Sequence, residues 1–193
     1  MVRSYRAAPI DSVVIDRILD AARRAPSAGF SQGVELVVIT SDEGRRRLAV
    51  EAHEAEFAAR GFDPWLSVAP VHVVIACHPS AYRVRYAEAD KSRSTPPDEW
   101  PAPYWWVDAG AVLMLLLLAA EDEGLVAGFL GSHAFDDLAR AAGIPDGYET
   151  VGLVTIGHEG EAARRVRSRP RRPLAEVEHR EIWGTPRRTE PGP

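Results

Sequence analysis

The sequence predicts an α+β fold built on a mixed β-sheet. Short β-branched runs stand between segments of helical periodicity, without regular βαβ alternation. A continuous apolar run, Ala109–Ala120, lies past the middle of the chain with acidic residues at both ends. The length of 193 residues suits one domain with a substantial core.

Pro9–Arg24 reads as the first helix. Ile10, Val13, Val14, Ile18, Leu19 and Ala22 recur near helical spacing, and Arg23-Arg24 suits the negative end of the helix dipole. Pro26–Gly33, PSAGFSQG, is loop chemistry. Val34–Thr40 is a β-branched strand, and Ser41 or Asp42 can cap a charged helix running to about Arg60. Val71–Ala76 is a second, buried strand led in by Pro70. Arg83–Pro103 is charged and proline-rich, which predicts a long excursion or lid shaping a substrate mouth.

Tyr104–Glu123 reads as a long helix closed by Gly124. Its apolar run is short of the roughly 20 residues that a membrane span needs. A helix apolar on every side must be covered all round, and a domain of this size has little material for that. A subunit interface, and hence a homodimer, is expected. A short strand at Val126–Leu130, a helix at Phe135–Ala142 ending in Gly143, and a strand at Val151–Ile156 follow. Arg164–Arg172 is basic, and Leu174, Val177, Ile182 and Trp183 form an amphipathic end. With no internal repeat or linker, residues 1–184 read as one domain and 185–193 as a flexible tail.

Composition excludes several classes. The net charge of −5 and pI near 5.7 disfavour non-specific nucleic-acid binding. The single cysteine, Cys77, rules out an intrachain disulfide and fits a reducing compartment. No apolar stretch follows the N-terminal charges, so a secretory signal is not expected, and the reading is a cytoplasmic protein without a membrane anchor. HExxH, paired cysteines, Walker A and GxGxxG patterns are all missing. His53 and Glu54 read as surface residues on a charged helix, and Cys77-His78 as a packed thiol ending a strand. Gly131-Ser132-His133 lacks the GxSxG elbow of a hydrolase nucleophile.

Two positive features remain. Arg3-Ser4-Tyr5-Arg6 just before a helix is either a charged terminus or a cradle for a phosphate and its sugar chain. The run Arg164–Arg172 holds six arginines and is a solvated tail, an RNA-touching patch or a partner for one anionic group.

These pieces together resemble the nitroreductase family, from Arg3 to Trp183. Arg3-Ser-Tyr-Arg6 is similar to the family's RRSxR opening, and Ala25-Pro-Ser-Ala-Gly-Phe-Ser-Gln32 to its APSxxNxQ loop. Leu117–Gly131 resembles its helix-Gly-Leu-strand passage. The close also fits, with Ile144-Pro145, a strand ending Ile156-Gly157, and Arg169-Pro-Arg-Arg-Pro-Leu174.

The resemblance implies a mixed sheet surrounded by helices in a homodimer, with a long central apolar helix and two FMN sites at the subunit interface. Arg3, Ser4 and Arg6, with Tyr5 between them, would hold the phosphate and ribityl chain, and Arg169 and Arg171 would close on the phosphate. Ser27, Gly29 and Gln32 would approach the flavin from the partner subunit, and Phe30 of the same loop is a further cofactor-binding candidate. Leu130, Gly131 and Ser132 would pass beside the isoalloxazine. The flavin itself would carry hydride from NAD(P)H to a small electrophilic acceptor such as a nitroaromatic, quinone or activated alkene, so no catalytic side chain is expected.

The chain departs from the family loop at Phe30, where Asn is usual, and at Gly33-Val34, where Pro-Trp is usual. The PSxGFxQ form is closer to the flavin-fragmenting dimethylbenzimidazole synthases of the same superfamily. Oxygen-dependent flavin cleavage and a flavin- or deazaflavin-binding module without turnover therefore stand as alternatives. Phe30 would either offer its face to flavin or substrate or pack under its own loop.

Overall fold

The computed structural model describes residues 1–131, 135–161 and 170–185. It divides into a unit of Met1–Ala163 and a smaller unit of Arg164–Pro193. In the first unit the chain runs β1 (Tyr5–Arg6), α1 (Ser12–Ala22), β2 (Val34–Ile39), α2 (Asp42–Glu51), α3 (Glu54–Ala59), β3 (Val71–Cys77) and α4 (Pro79–Tyr86). It continues with α5 (Tyr104–Asp122), β4 (Val126–Leu130), α6 (Phe135–Ala142) and β5 (Glu149–Glu159). The second unit holds the four-residue helix α7 (Leu174–Val177), where Arg172 pairs with Glu176 and His179 lies against Trp183.

The α+β reading holds, but every described strand pairing is antiparallel rather than mixed. The long β5 is the hub: β3 pairs along one side, and β4 followed by β1 along the other. The side chains of β3 alternate between two cores, as strand geometry requires. Val71, Val73, Ile75 and Cys77 face α1 and α5, whereas Val74 faces a core built from Leu48, Phe57, Trp65 and Leu138. The sheet thus separates an α1/α5 face from an α2/α3/α6 face.

Local chemistry sets the helix ends. Helix α1 begins at Ser12, later than Pro9, because the Asp11 carboxylate accepts from Val13 N at 2.9 Å and acts as N-cap. The expected single helix from Asp42 to Arg60 is two, broken at His53, whose φ is +56°. Gly124, at φ +71°, lets Leu125 N reach Ala120 O and Gly124 N reach Glu121 O, so the last carbonyls of α5 are satisfied.

The Arg83–Pro103 excursion is more ordered than a lid. Helix α4 runs through Tyr86, and 3₁₀ turns follow at Ala89–Lys91 and Pro97–Glu99. Trp100 packs edge-on against Tyr82, Tyr86 and Tyr104, giving the segment a core of its own.

Helix α5 is long and apolar enough to cross a bilayer by length and composition, yet one face is core. Trp105, Ala109, Val112, Leu116 and Ala120 are buried against the sheet and α1. Tyr104, Val107, Met114 and Leu118 share the opposite face and remain 43–55% exposed.

Candidate functional site

The segment between α1 and β2 is the most unusual backbone in the first unit. Gly29, Phe30 and Gln32 have φ of +61°, +59° and +51°. Left-handed geometry is ordinary for glycine but uncommon for Phe and Gln. The loop is cross-braced internally: Ser27 Oγ accepts from Gln32 N at 3.0 Å, Phe30 N donates to Ser27 O at 2.8 Å, and Ser31 Oγ donates to Ala28 O at 2.6 Å.

It is also held from behind. Asp108, buried on α5, accepts through Oδ2 from Ala28 N at 2.9 Å and from Tyr82 Oη at 2.7 Å. Burial and the adjacent carboxylate push the Tyr82 phenol well above its ordinary range, so it stays a donor. Arg85 Nε donates to Gly29 O at 2.9 Å. Neither Asp108 nor these α4 residues stood out in the sequence. The available signal was a lone carboxylate inside the most apolar helix of the chain.

So braced, the loop turns Phe30 outward. Its side chain is 72% exposed, which overturns packing beneath the loop. Phe30 borders a shallow recess of about 390 Å³ with Ser31, His78, Ser80 and Val84. On the other flank, Ser27, Gln32 and Asp108 line a cleft of about 500 Å³ floored by Val34, Leu36 and Val112. The Gly33-Val34 departure has a structural cause. A Cβ at Gly33 would sit 2.5 Å from Tyr82 Cε2, and Val34 opens β2 opposite Cys77.

The N-terminal cluster divides across the sheet. Tyr5 points inward: its hydroxyl bonds Thr155 Oγ1 at 2.7 Å, and burial pushes its pKa up to about 12. Its role is therefore to anchor β1, which corrects its place among the expected cofactor-binding residues. The alternation leaves Ser4 and Arg6 on the opposite side. Arg6 is exposed and uses only Nε, donating to Glu159 O at 3.2 Å. Arg3 lies over the rings of Trp65 and Phe62, at 5.2 and 5.8 Å. Among the described residues no carboxylate pairs with Arg3 or Arg6. A Cβ at Gly160 would approach Ser4 Oγ to 2.4 Å, so the turn after β5 fits closely around Ser4.

The Leu130 side chain is buried in the α2/α3/α6 core, leaving only its backbone and that of Gly131 for a ligand. Ser132 and Arg169 lie outside the described residues, as do 186–193 of the expected tail. Arg171 is exposed in the second unit. Within one chain, then, Arg6 shares the α1/α5 side of the sheet, opposite His158 of β5, whereas Tyr5 and Arg3 lie on the α2/α3/α6 side.

The groups read as inert divide. Cys77 is buried, and desolvation with the nearby Glu149 pushes its thiol up to about 12, far from a thiolate. Glu54, expected to be a surface bystander, instead accepts through Oε1 from the amides of Trp65, Leu66 and Ser67. His53 Nε2 meets Asp137 at 3.2 Å. Among the described residues no three His, Cys, Asp or Glu side chains gather to hold a metal.

The sequence matches the nitroreductase family over residues 1–158, most of the chain. The chain belongs to the nitroreductase family. A protein of Mycolicibacterium smegmatis, an uncharacterized 15.4 kDa protein in the ask 5′ region, is 35% identical over 99 residues. That match covers 46% of this chain and 65% of the relative, just under two thirds of its length. An FMN reductase (NAD(P)H) of Bacillus subtilis is 23% identical over 94% of this chain and 70% of its own. The structure of Bacillus megaterium NfrA2 superposes with a TM-score of 0.73 at 20% identity, covering 94% of this nitroreductase-family chain and 70% of that one. The NADPH:FMN oxidoreductase of Vibrio harveyi, solved with NAD+, gives 0.69 at 22% identity over 94% and 73% of the two chains. These superpositions establish the fold.

Proposed function

We propose that this nitroreductase-family chain is an FMN-dependent oxidoreductase. It takes hydride from NAD(P)H and delivers it to a small electrophilic acceptor, and it works as a homodimer in the reducing cytoplasm, where the buried Cys77 thiol stays free. The observation that carries this reading is the Ser27–Gln32 loop, braced from behind and presenting Phe30, Ser27 and Gln32 outward, in a chain whose relatives include NAD(P)H-dependent FMN reductases.

The residues present fit a flavin mononucleotide. Arg6 shares its side of β1 with Ser4 and pairs with no carboxylate among the described residues, a setting suited to a phosphate, and Arg3 adds a second unpaired guanidinium from the other side of the strand. Val2 N bonds Ala127 O, so this cluster sits beside the start of β4. Gly131 follows the far end of that strand, roughly 13 Å away at 3.3 Å per residue. Bound at this cluster, FMN would supply the hydride chemistry. Arg3, Ser4 and Arg6 would hold the phosphate, and the Gly131 backbone would lie near the ring.

In the proposed homodimer the loop would serve the site of a second copy. The exposed stripe Tyr104, Val107, Met114 and Leu118 gives the two copies a surface to share.

Two measurements test the reading. The purified protein should be yellow and release FMN on denaturation, and NADH or NADPH should bleach it. Failure to quench flavin fluorescence with excess FMN overturns the assignment. Light scattering should report a dimer. Met114→Asp, on the exposed stripe, should yield a folded monomer, whereas Leu116→Asp, fully buried, should prevent folding. A wild-type monomer at micromolar concentration rejects the dimer.

A further inference from the structure

Helix α4 presents one face to the loop. Tyr82, Arg85 and Tyr86, spaced i, i+3 and i+4, share a side of the helix. Each meets a different part of the segment. A Cβ at Gly33 would fall 2.5 Å from the Tyr82 ring, and one at Gly29 would fall 2.6 Å from the Tyr86 ring. Arg85 reaches Gly29 O, and a two-pronged pair with Asp90, 2.7 Å at each prong, fixes its guanidinium. What ties this face and the loop to the core is one carboxylate oxygen, Asp108 Oδ2, which receives Tyr82 Oη and Ala28 N together.

We propose that Asp108 is the positioning residue of the Ser27–Gln32 loop: its buried carboxylate, backed by Tyr82, fixes the backbone from which Ser27, Phe30 and Gln32 meet cofactor and acceptor. This rests on the reading of the loop given under Proposed function.

The energetics favour this role. Phe30 and Gln32 hold left-handed conformations costing on the order of 1–2 kcal/mol each, and such conformations persist only where surroundings over-determine them. The loop has little buried surface to do so: Phe30 faces solvent, and Ser27 and Gln32 line an open cleft. Hydrogen bonds to an ionised group in a desolvated setting are the strongest restraint available there. Removing the carboxylate leaves Ala28 N and Tyr82 Oη unpaired together, freeing the loop and α4 in one step. Asp108 acts through the loop and transfers no proton.

Three variants test it in the full-length protein: Asp108→Ala removes the acceptor, Asp108→Asn keeps a carbonyl oxygen able to accept both bonds, and Tyr82→Phe keeps the ring but removes the hydroxyl. Hydrogen exchange without added flavin reads the loop directly. The Ala28–Gln32 amides should exchange at least tenfold faster in Asp108→Ala and detectably faster in Tyr82→Phe, while β3 and β5 amides stay protected. Asp108→Asn should return to within threefold of wild type. With NADPH, saturating FMN and menadione as acceptor, kcat/KM should fall at least tenfold in Asp108→Ala and recover in Asp108→Asn. Unchanged loop exchange in Tyr82→Phe and Asp108→Ala overturns the proposal, and so does a uniform rise through β3 and β5. If Asp108→Ala does not fold, Tyr82→Phe alone decides. A loosened loop with unaltered flavin affinity and menadione kinetics leaves the anchor standing and overturns the loop's assigned function.

Discussion

Two loops on opposite faces of the sheet use the same device to opposite ends. On the α2/α3/α6 face, Glu54 accepts the amides of Trp65, Leu66 and Ser67, and His72 Nε2 donates to Leu66 O at 2.7 Å. That loop sends Trp65 inward to complete burial. On the α1/α5 face, Asp108 accepts Ala28 N, and the loop sends Phe30 outward. A carboxylate gathering loop amides is therefore no mark of function by itself. What separates the two is where the aromatic points and whether the backbone is strained: residues 65–67 contain no positive φ, whereas Gly29, Phe30 and Gln32 all do.

The comparison breaks most visibly at Glu54. Glu54→Ala strips three amides of their acceptor, two of them on fully buried residues. Charge-assisted bonds of this kind and unpaired buried donors carry roughly 1–3 kcal/mol each, so a loss on the order of 4 kcal/mol is expected. Against typical stabilities of about 5–15 kcal/mol, that takes away much of the margin. Urea denaturation should show the drop. Flavin affinity of the surviving folded fraction should match wild type, and a selective loss of flavin binding without a stability change would erase the distinction between the two loops.

The imidazole on the same face makes that loop sensitive to acid. Burial pushes His72 from its ordinary 6.5 down to about 4, since the desolvated ring disfavours the charge and the buried Nδ1 has no acceptor for a second proton; the bond from Nε2 to Leu66 O offsets this only in part. Arg45 opposes protonation as well, while Glu54 favours it only weakly. The unfolded chain takes up a proton near pH 6.5 and the folded chain only near pH 4, so the unfolded state binds more protons between these values. Stability is full above about pH 6.5 and falls by about 3 kcal/mol as the pH drops to about 4. His72→Gln should flatten that slope when melting temperature is followed across the window. A wild-type slope in the variant would assign the acid sensitivity elsewhere.

Legibility in the sequence follows the same divide between local and distant causes. Strands β2 and β3 and the glycine closure of α5 are written in neighbouring residues, and each was readable from them. The break at His53 carries no glycine or proline. The bracing of the functional loop depends on Asp108 and Tyr82, 80 and 54 positions from Ala28 and 26 from each other. No window of local pattern joins them. The N-terminal cluster was readable as a group of residue types. Only the pairing of β1 with β5 and the bond to Thr155 showed that Tyr5 turns away from Arg6.

The finest test lies at Phe30, where the outward loop departs from its family. A Phe at φ +59° is strained, and Asn tolerates that region better. Because the ring is 72% exposed, replacing it removes little burial. Phe30→Asn should therefore hold or slightly raise the melting temperature, the reverse of a core substitution. If the ring meets the acceptor, the ratios of kcat/KM for a quinone, a nitroaromatic and oxygen should shift about tenfold with FMN still bound, equivalent to about 1.4 kcal/mol of differential transition-state binding. The quinone should lose most, since a flat ring gains most from an aromatic face. Ratios unchanged beside a lowered melting temperature would make Phe30 structural despite its exposure. The outward aromatic would then no longer distinguish this loop from the one that Glu54 holds.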